Sequence, residues 1–547
     1  MDADLIISGA LIYSFDSLAG RYEALAVRDG RILALGTAEE MKAYRGPATK
    51  ELLLHGEMLL PGLIEGHGHF LSMGRSLREL RLLDTRSYSE IIDSVRQRLR
   101  GLKAGEWLHG RGWHQEKWDE APEKNIKGFP VHDALSAVSP DHPVILQHAS
   151  GHAILVNQKA MEMAGITDAT PDPPGGVIVR DENGHATGVF RENAERLIVE
   201  KYEEYLAGRS AEEKKADFEK TLQLAEAHCL ENGITAFHDA ASTIEEIRMI
   251  RAYQKEKGLK VRLDLMVYGP AAEVTAYLDS VPPDDAREPG FLFVNSVKLF
   301  YDGALGSRGA LMLAPYSDDP GNAGQRSIDT ADFYRVAERA ALRGYQLCTH
   351  AIGDLANREV LNVYEKIYAK YPEARRLRWR IEHAQHIAPE DQPRFAALPV
   401  IASMQSIHCS SDAPFVMARL GEARARQGAY VWRRLLDSGA RVMEGTDVPV
   451  ERLDPFANIY AAVTRKTTDG SAFYVAETKT REEELRSYTA VNAYGLFMDA
   501  WKGSLEPGKV ADFTIIDKDL MNCPEDEIRK ARVRYTIVNG KILYRNE

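Results

Sequence analysis

Cysteine is scarce in this chain: there are four in 547 residues, Cys229, Cys348, Cys409 and Cys523, far apart and with no CxxC pair. That excludes a disulfide framework and a thiolate zinc cluster, and it points to a reducing compartment. Long apolar runs are also missing, none approaching the ~18–20 residues of a membrane span. The opening residues, MDADLIISGALIYSF, carry acids where a secretory leader needs a basic stretch, so a cytoplasmic protein with no membrane partner is expected. Lys and Arg form no long block and the net charge is -12, which removes the electrostatic footprint of a nucleic-acid binder. No internal repeat or low-complexity tract is present. What is left is an ordinary globular composition, 44% hydrophobic and 27% charged. A small-molecule substrate fits it, and a homodimer is a reasonable expectation for the assembly. The length exceeds the roughly 250–300 residues one core supports, so more than one structural unit is expected.

Both ends of the chain read as β-structure. LIISGALIYSF and EALAVRDGRILALG are strands with a hairpin turn at Asp29-Gly30, and KVADFTIID and RVRYTIVNGKILY repeat the pattern with a turn at Asn539-Gly540. A composite β-sandwich domain of residues 1–58 plus 498–547 follows, flanking a long middle at 59–497. That middle alternates strand-like runs with helical patterns, the appearance of βα units on a parallel sheet. Eight strands are legible: MLLPGLIEGHGH, GITAFHDA, VRLDLMVYG, VNSVKLFYDG, YQLCTH, RWRIEHA, PVIASMQ and ARVMEGTD. Eight predict a closed (β/α)8, TIM-like barrel of the α/β class. One helix is well marked, with a capping box at Ser210 and Glu213, an apolar face of Phe218, Leu222, Ala225 and Cys229, and Gly233 at its end. A βα unit takes about 30 residues, yet far more than that separates the first two strands. An inserted subdomain at about 75–205 is therefore expected.

His67 and His69 lie two apart at the end of an apolar strand, so both side chains face one side and can share a metal. Strand C-termini are where barrel enzymes keep their active sites. An HxH alone is as readily a surface pair. Recurrence changes the weighing, because His350 ends YQLCTH, His383 ends RWRIEH and Asp447 ends ARVMEGTD. Singly, either histidine could be a hydrogen-bonded core residue and Asp447 a helix cap; all together, those readings become improbable. Lys298 sits inside the apolar strand VNSVKLFYDG, where a cation is costly to bury. It calls for an ion pair with Asp302 or for reaction with carbon dioxide to a carbamate, an anionic oxygen ligand able to bridge two ions, and the carbamate is preferred.

The order HxH, Lys, His, His, Asp resembles the amidohydrolase superfamily of binuclear barrel hydrolases. MLLPGLIEGHGH, KLFYDGALGSR, RIEHAQ and GSLEPGKVADFTIID are similar to its YtcJ-like branch (amidohydrolase family 3), which takes in N-substituted formamide deformylase. The likeness runs over essentially the whole chain. It implies that His67, His69 and Asp447 bind one metal, His350 and His383 the other, and N-carboxylated Lys298 bridges them, with zinc the expected ion. It also makes Trp113, His114 and His152, in segments that close over the pocket in this branch, candidate substrate contacts, although inserted Trp and His residues more often pack or face solvent. Asp302 and Arg308, in the loop after the lysine strand, either bind substrate or brace that loop. His238 and Asp239 receive supporting roles, and Cys348 reads as core.

The implied reaction is hydrolysis of an amide-type C–N bond in a small molecule, such as an N-substituted formamide or other N-acyl compound. A water bridging two metals has its pKa lowered from 15.7 toward about 7, and the resulting hydroxide attacks a polarised carbonyl. Asp447 is the catalytic residue, passing the proton to the leaving nitrogen. Two rivals compete: a mononuclear heterocycle deaminase, which generally lacks the bridging lysine, and a catalytically inactive regulator on the same fold, which usually loses metal ligands. A purely structural metal site fits poorly, since such sites favour closed Cys-rich tetrahedra.

Overall fold

The computed structural model describes residues 1–16, 21–82, 84–115, 118–149, 153–467 and 469–546. They fall into two compact units, Met1–Phe70 with Ala225–Glu547, and Leu71–Leu224.

The first unit is built on an eight-stranded, all-parallel sheet: β1 (Leu63–Gly68), β2 (Ile234–Thr243), β3 (Arg262–Tyr268), β4 (Leu292–Phe300), β5 (Gln346–Ala351), β6 (Arg380–His383), β7 (Ile401–Met404) and β8 (Val442–Glu444). Each strand is hydrogen-bonded to the next in chain order and lies in one of the eight runs read from the sequence. The first run is divided: only Leu63–Gly68 joins the barrel, while Met58–Pro61 is a strand of the sheet formed by the chain ends, beyond the expected boundary at 58. Burial on both faces explains their near-continuous apolar character. The barrel is nearly closed. Across the seam from β8 to β1, the Asp447 amide donates to the His67 carbonyl (2.8 Å) and the Thr446 amide to the Glu65 carboxylate (2.5 Å). The Asn492 side-chain amide ties both strands by donating to the carbonyls of Ile64 and Glu444. Gly66 permits that approach: a Cβ there would lie 2.4 Å from the Glu444 carbonyl oxygen.

Both chain ends combine in a second, mixed sheet of eight strands. Its path runs from 541–545 through 533–538, 513–516, 58–61, 5–13 and 21–28 to 31–36, with 50–53 paired to 5–13. Asp29-Gly30 and Asn539-Gly540 form its two tight hairpins, all four residues at positive φ as a primed turn requires. Leu5, Ile7, Leu25 and Leu59 from the first sixty residues share one core with Phe513, Ile515 and Ile537. Beneath the barrel Asp512 is clamped by Arg262 (2.8 Å) and Lys502 (2.7 Å), all three buried.

The second unit holds a six-stranded sheet ordered 176–180, 186–192, 153–156, 144–148, 108–113, 80–81. Alternation along its strands feeds two separate cores. Leu108, Val144, Leu146, Leu155 and Val189 pack on one face, and Ile145, Ile154, Ile178 and Phe190 on the other. This unit begins and ends in helices, 70–76 and 211–231, so it is wider than the strands alone suggest. The capping box of the second helix is present, Ser210 and Glu213 each accepting the other's backbone N–H.

Candidate metal centre

His67, at the end of β1, is fully buried, and its Nδ1 lies 2.5 Å from the Glu382 carboxylate on β6. A carboxylate oxygen only accepts, so Nδ1 carries the proton and the Nε2 lone pair faces inward. There it meets Lys298 Nζ at 3.4 Å and Asp447 Oδ1 at 3.5 Å. The same device repeats at His383, whose Nδ1 donates to Gln405 Oε1 at 2.7 Å. The rings of His67 and His383 are 4.8 Å apart, and those of His383 and His350 are 4.5 Å apart. His69 Nε2 stands 3.2 Å from Asp447 Oδ1 on the more open side of the cluster. One donor atom each from His67, His383 and Asp447 falls within a 4.8 Å sphere of mutual distance.

Burial, reinforced by the Lys298 charge, pushes the His67 imidazole down to about 4 and that of His350 to about 3. Burial, then the neighbouring His350, holds His383 well below its ordinary value. All three are therefore neutral, as nitrogen ligands must be. Burial works against ionisation of Asp447, but interactions led by the hydrogen bond from His69 outweigh it and keep the carboxyl well below the usual range. Lys298 is fully buried and its pKa is lowered, by burial first. Its hydrogen-bond partner among the described residues is His67 rather than a carboxylate. Backbone strain accompanies the site, with His383 at φ +72 and Asp447 at φ +58, conformations that L-residues adopt at a cost and that cluster at functional sites.

The residues present fit a divalent ion. The donor set is imidazole nitrogen and carboxylate oxygen, suited to borderline first-row metals. The buried Nε2 of His350 has no hydrogen-bond partner among the described residues, an expensive arrangement for a protein interior unless something else engages it. Glu382 is itself held, since Arg380 hydrogen-bonds its other oxygen and also the Gly66 carbonyl (3.2 Å).

The other candidate residues are placed differently. Asp302 does not pair with Lys298; its oxygens accept the backbone N–H groups of Leu311, Ile352 and Gly353 and lie 3.5 Å from His350 Nε2. It braces the loop, with its pKa raised by burial to about 7. Arg308 forms a two-pronged pair with Asp318. Trp113 is wholly buried in the second unit, donating its indole N–H to the Leu146 carbonyl (2.7 Å) and packing on Trp118 and His148. It is a core residue of that unit. The His114 ring lies 4.6 Å from that of His148, and His152 lies outside the described residues. Asp239 accepts the Phe70 amide and so pins the chain just after His69, while His238 contacts Ser296 (3.2 Å). Cys348 packs with Ala240 and Met266. Glu382, Gln405, Gln385 and His408 carry no sequence signal of their own; the β6 and β7 ends adjacent to ligands are where a search could have begun.

Comparison with known proteins agrees with this architecture. The amidohydrolase family model matches residues 54–544. The Bacillus subtilis relative named amidohydrolase YtcJ is 32% identical over 545 residues, covering 98% of each chain. An N-substituted formamide deformylase of Arthrobacter pascens is 27% identical over 99% of this chain and 98% of its own. The crystal structure of an uncharacterized metal-dependent hydrolase from Pyrococcus horikoshii superposes with a TM-score of 0.73 at 25% identity, over 95% of this chain and 99% of that one.

Proposed function

Because the chain belongs to the amidohydrolase family, we propose that it is a metal-dependent hydrolase of small molecules that cleaves an amide-type C–N bond, such as that of an N-substituted formamide or another N-acyl compound. The observation that carries this reading is the convergence of His67, His383 and Asp447 beside a buried Lys298 whose hydrogen-bond partner among the described residues is His67 and not a carboxylate. His67, His69 and Asp447 would hold one ion, His350 and His383 a second, with zinc the expected metal. Such ions supply Lewis acidity toward a carbonyl oxygen and toward water.

The side chains do the rest. Glu382 and Gln405 hold the imidazoles of His67 and His383 in the tautomer that points a lone pair inward. A lysine desolvated as Lys298 is can lose one proton to become a neutral amine, whose nitrogen then bonds to the carbon of carbon dioxide and gives up a second proton, leaving a carbamate oxygen anion. In hydrolysis the water oxygen bonds to the acyl carbon and the C–N bond breaks. Asp447, kept ionised in the unbound site, takes the proton from water and delivers it to the departing nitrogen, giving a carboxylic acid and an amine.

The test is metal analysis of the purified protein alongside hydrolysis of a panel of N-substituted formamides and N-acyl amines. About two ions per chain, activity lost to a chelator and regained with zinc, and a carbamate carbon signal after incubation with 13C-bicarbonate that is absent in Lys298→Ala are expected. Hydrolysis that survives complete metal removal overturns the reading.

A further inference from the structure

The junctions after β6 and β7 cross one another. Gln405, following β7, accepts from His383 on β6; in return Gln385, two residues beyond His383, donates its side-chain amide to Nδ1 of His408 at 3.1 Å. His408 occupies the first turn of the helix Ser406–Leu420 and is buried. An amide N–H can only donate, so Nδ1 of His408 accepts and the ring proton sits on Nε2. That Nε2 is buried without a hydrogen-bond partner among the described residues, and Asp447 Oδ2 stands 3.9 Å away. The His408 ring lies roughly parallel to that of His383, centroids 6.2 Å apart and planes at 21°. Asp447 is thus flanked on both sides, Oδ1 turned to His67 and His69 and Oδ2 to His408.

We propose that His408 is a positioning residue for Asp447, its Nε2–H fixed by Gln385 and aimed at Oδ2 so that Oδ1 stays turned toward the histidine cluster. A shift of about 1 Å brings the pair to the length of a charge-assisted N–H···O bond. A buried ring N–H with Asp447 Oδ2 beside it and no hydrogen-bond partner among the described residues is otherwise hard to account for. The arrangement is the one by which Glu382 serves His67, applied to the carboxylate of the cluster instead of an imidazole.

The kinetic part of the test rests on the hydrolase reading; the spectroscopic part does not. His408→Ala and His408→Asn are expected to lose about 10–100-fold in kcat, with KM and metal content unchanged. His408→Gln, whose side-chain amide nitrogen can reach the place of Nε2, recovers most of that loss, whereas the Asn amide reaches only the place of Nδ1. In the metal-loaded wild-type protein, 15N imidazole spectra, with the His408 signal identified by its absence in His408→Gln, show the proton on Nε2. The proposal is overturned if His408→Asn matches the wild type, if His408→Gln is no better than His408→Ala, if metal is lost with His408, or if the proton is found on Nδ1. Should the wild type hydrolyse none of the amides offered, the hydrolase reading fails and the tautomer alone decides this proposal.

Discussion

Gln405 is not among the residues assigned to an ion, yet by accepting from Nδ1 it sets which nitrogen of His383 is free. Gln405→Leu removes the acceptor without leaving a charge behind, and it should cost about 10–100-fold in metal affinity or activity. Isothermal titration of zinc into the metal-free variant checks this, and an unchanged affinity would show that packing alone orients the ring. His67, His69, His350, His383, Asp447 and Lys298 were legible in the sequence because each ends or interrupts an apolar strand, where a polar residue stands out. Their supports were not. Glu382 is 315 residues from His67 and Gln405 is 22 from His383, so only closure of the barrel chooses the partner. Polar residues just past a strand also read as helix caps, which hid Gln405 and His408. Trp113, a candidate contact only by resemblance and weighed as more often packing, fills a core, since a large aromatic looks alike in sequence in either place.

At the scale of elements, the β1–β8 seam is held by polar links where the other neighbouring strands have ladders. Glu65 accepts the amide and hydroxyl of Thr446, its pKa pushed up to about 8 by burial in spite of those bonds. Gly66→Ala drives a Cβ into the Glu444 carbonyl and toward Asn492. The expected loss is about 1–3 kcal/mol in chemical denaturation, with weaker metal binding, since His67 and Asp447 sit on the two sides of that seam. A second joint ties the terminal sheet to the barrel base. Burial raises the pKa of Asp512, but Arg262 and Lys502 outweigh it and hold the carboxyl far below its ordinary value. A carboxyl depressed on folding contributes stability that is complete above its unfolded pKa and disappears as pH falls through the folded one. Urea midpoints of the wild type should therefore decline below about pH 4. Asp512→Asn, which strands two buried cations, should be weaker by about 3–5 kcal/mol at neutral pH and lose the Asp512 share of that acid dependence. The strands themselves were readable from apolar runs and the hairpins from Asp-Gly and Asn-Gly, because those signals are local. The seam and the joint are not, since each depends on residues hundreds of positions apart.

For the whole molecule, an ion that binds only the folded centre adds stability by mass action, about 2.7 kcal/mol at a free concentration 100 times its Kd. Scanning calorimetry should show the melting transition of the first unit fall after chelation and return with zinc, while an unmoved transition would mean that the cluster binds no ion in the folded chain. Among the described residues no helix is long and apolar enough to cross a membrane. The terminal sheet has one more consequence. The strand 58–61 is bordered on one side by 513–516, which leaves the ribosome hundreds of residues later. During synthesis that flank of 58–61, and β1 leading out of it with its two histidines, must wait for strand 513–516 to emerge. A segment made late thus seals one made early, so termination ahead of residue 513 should leave an open hydrophobic edge prone to aggregation.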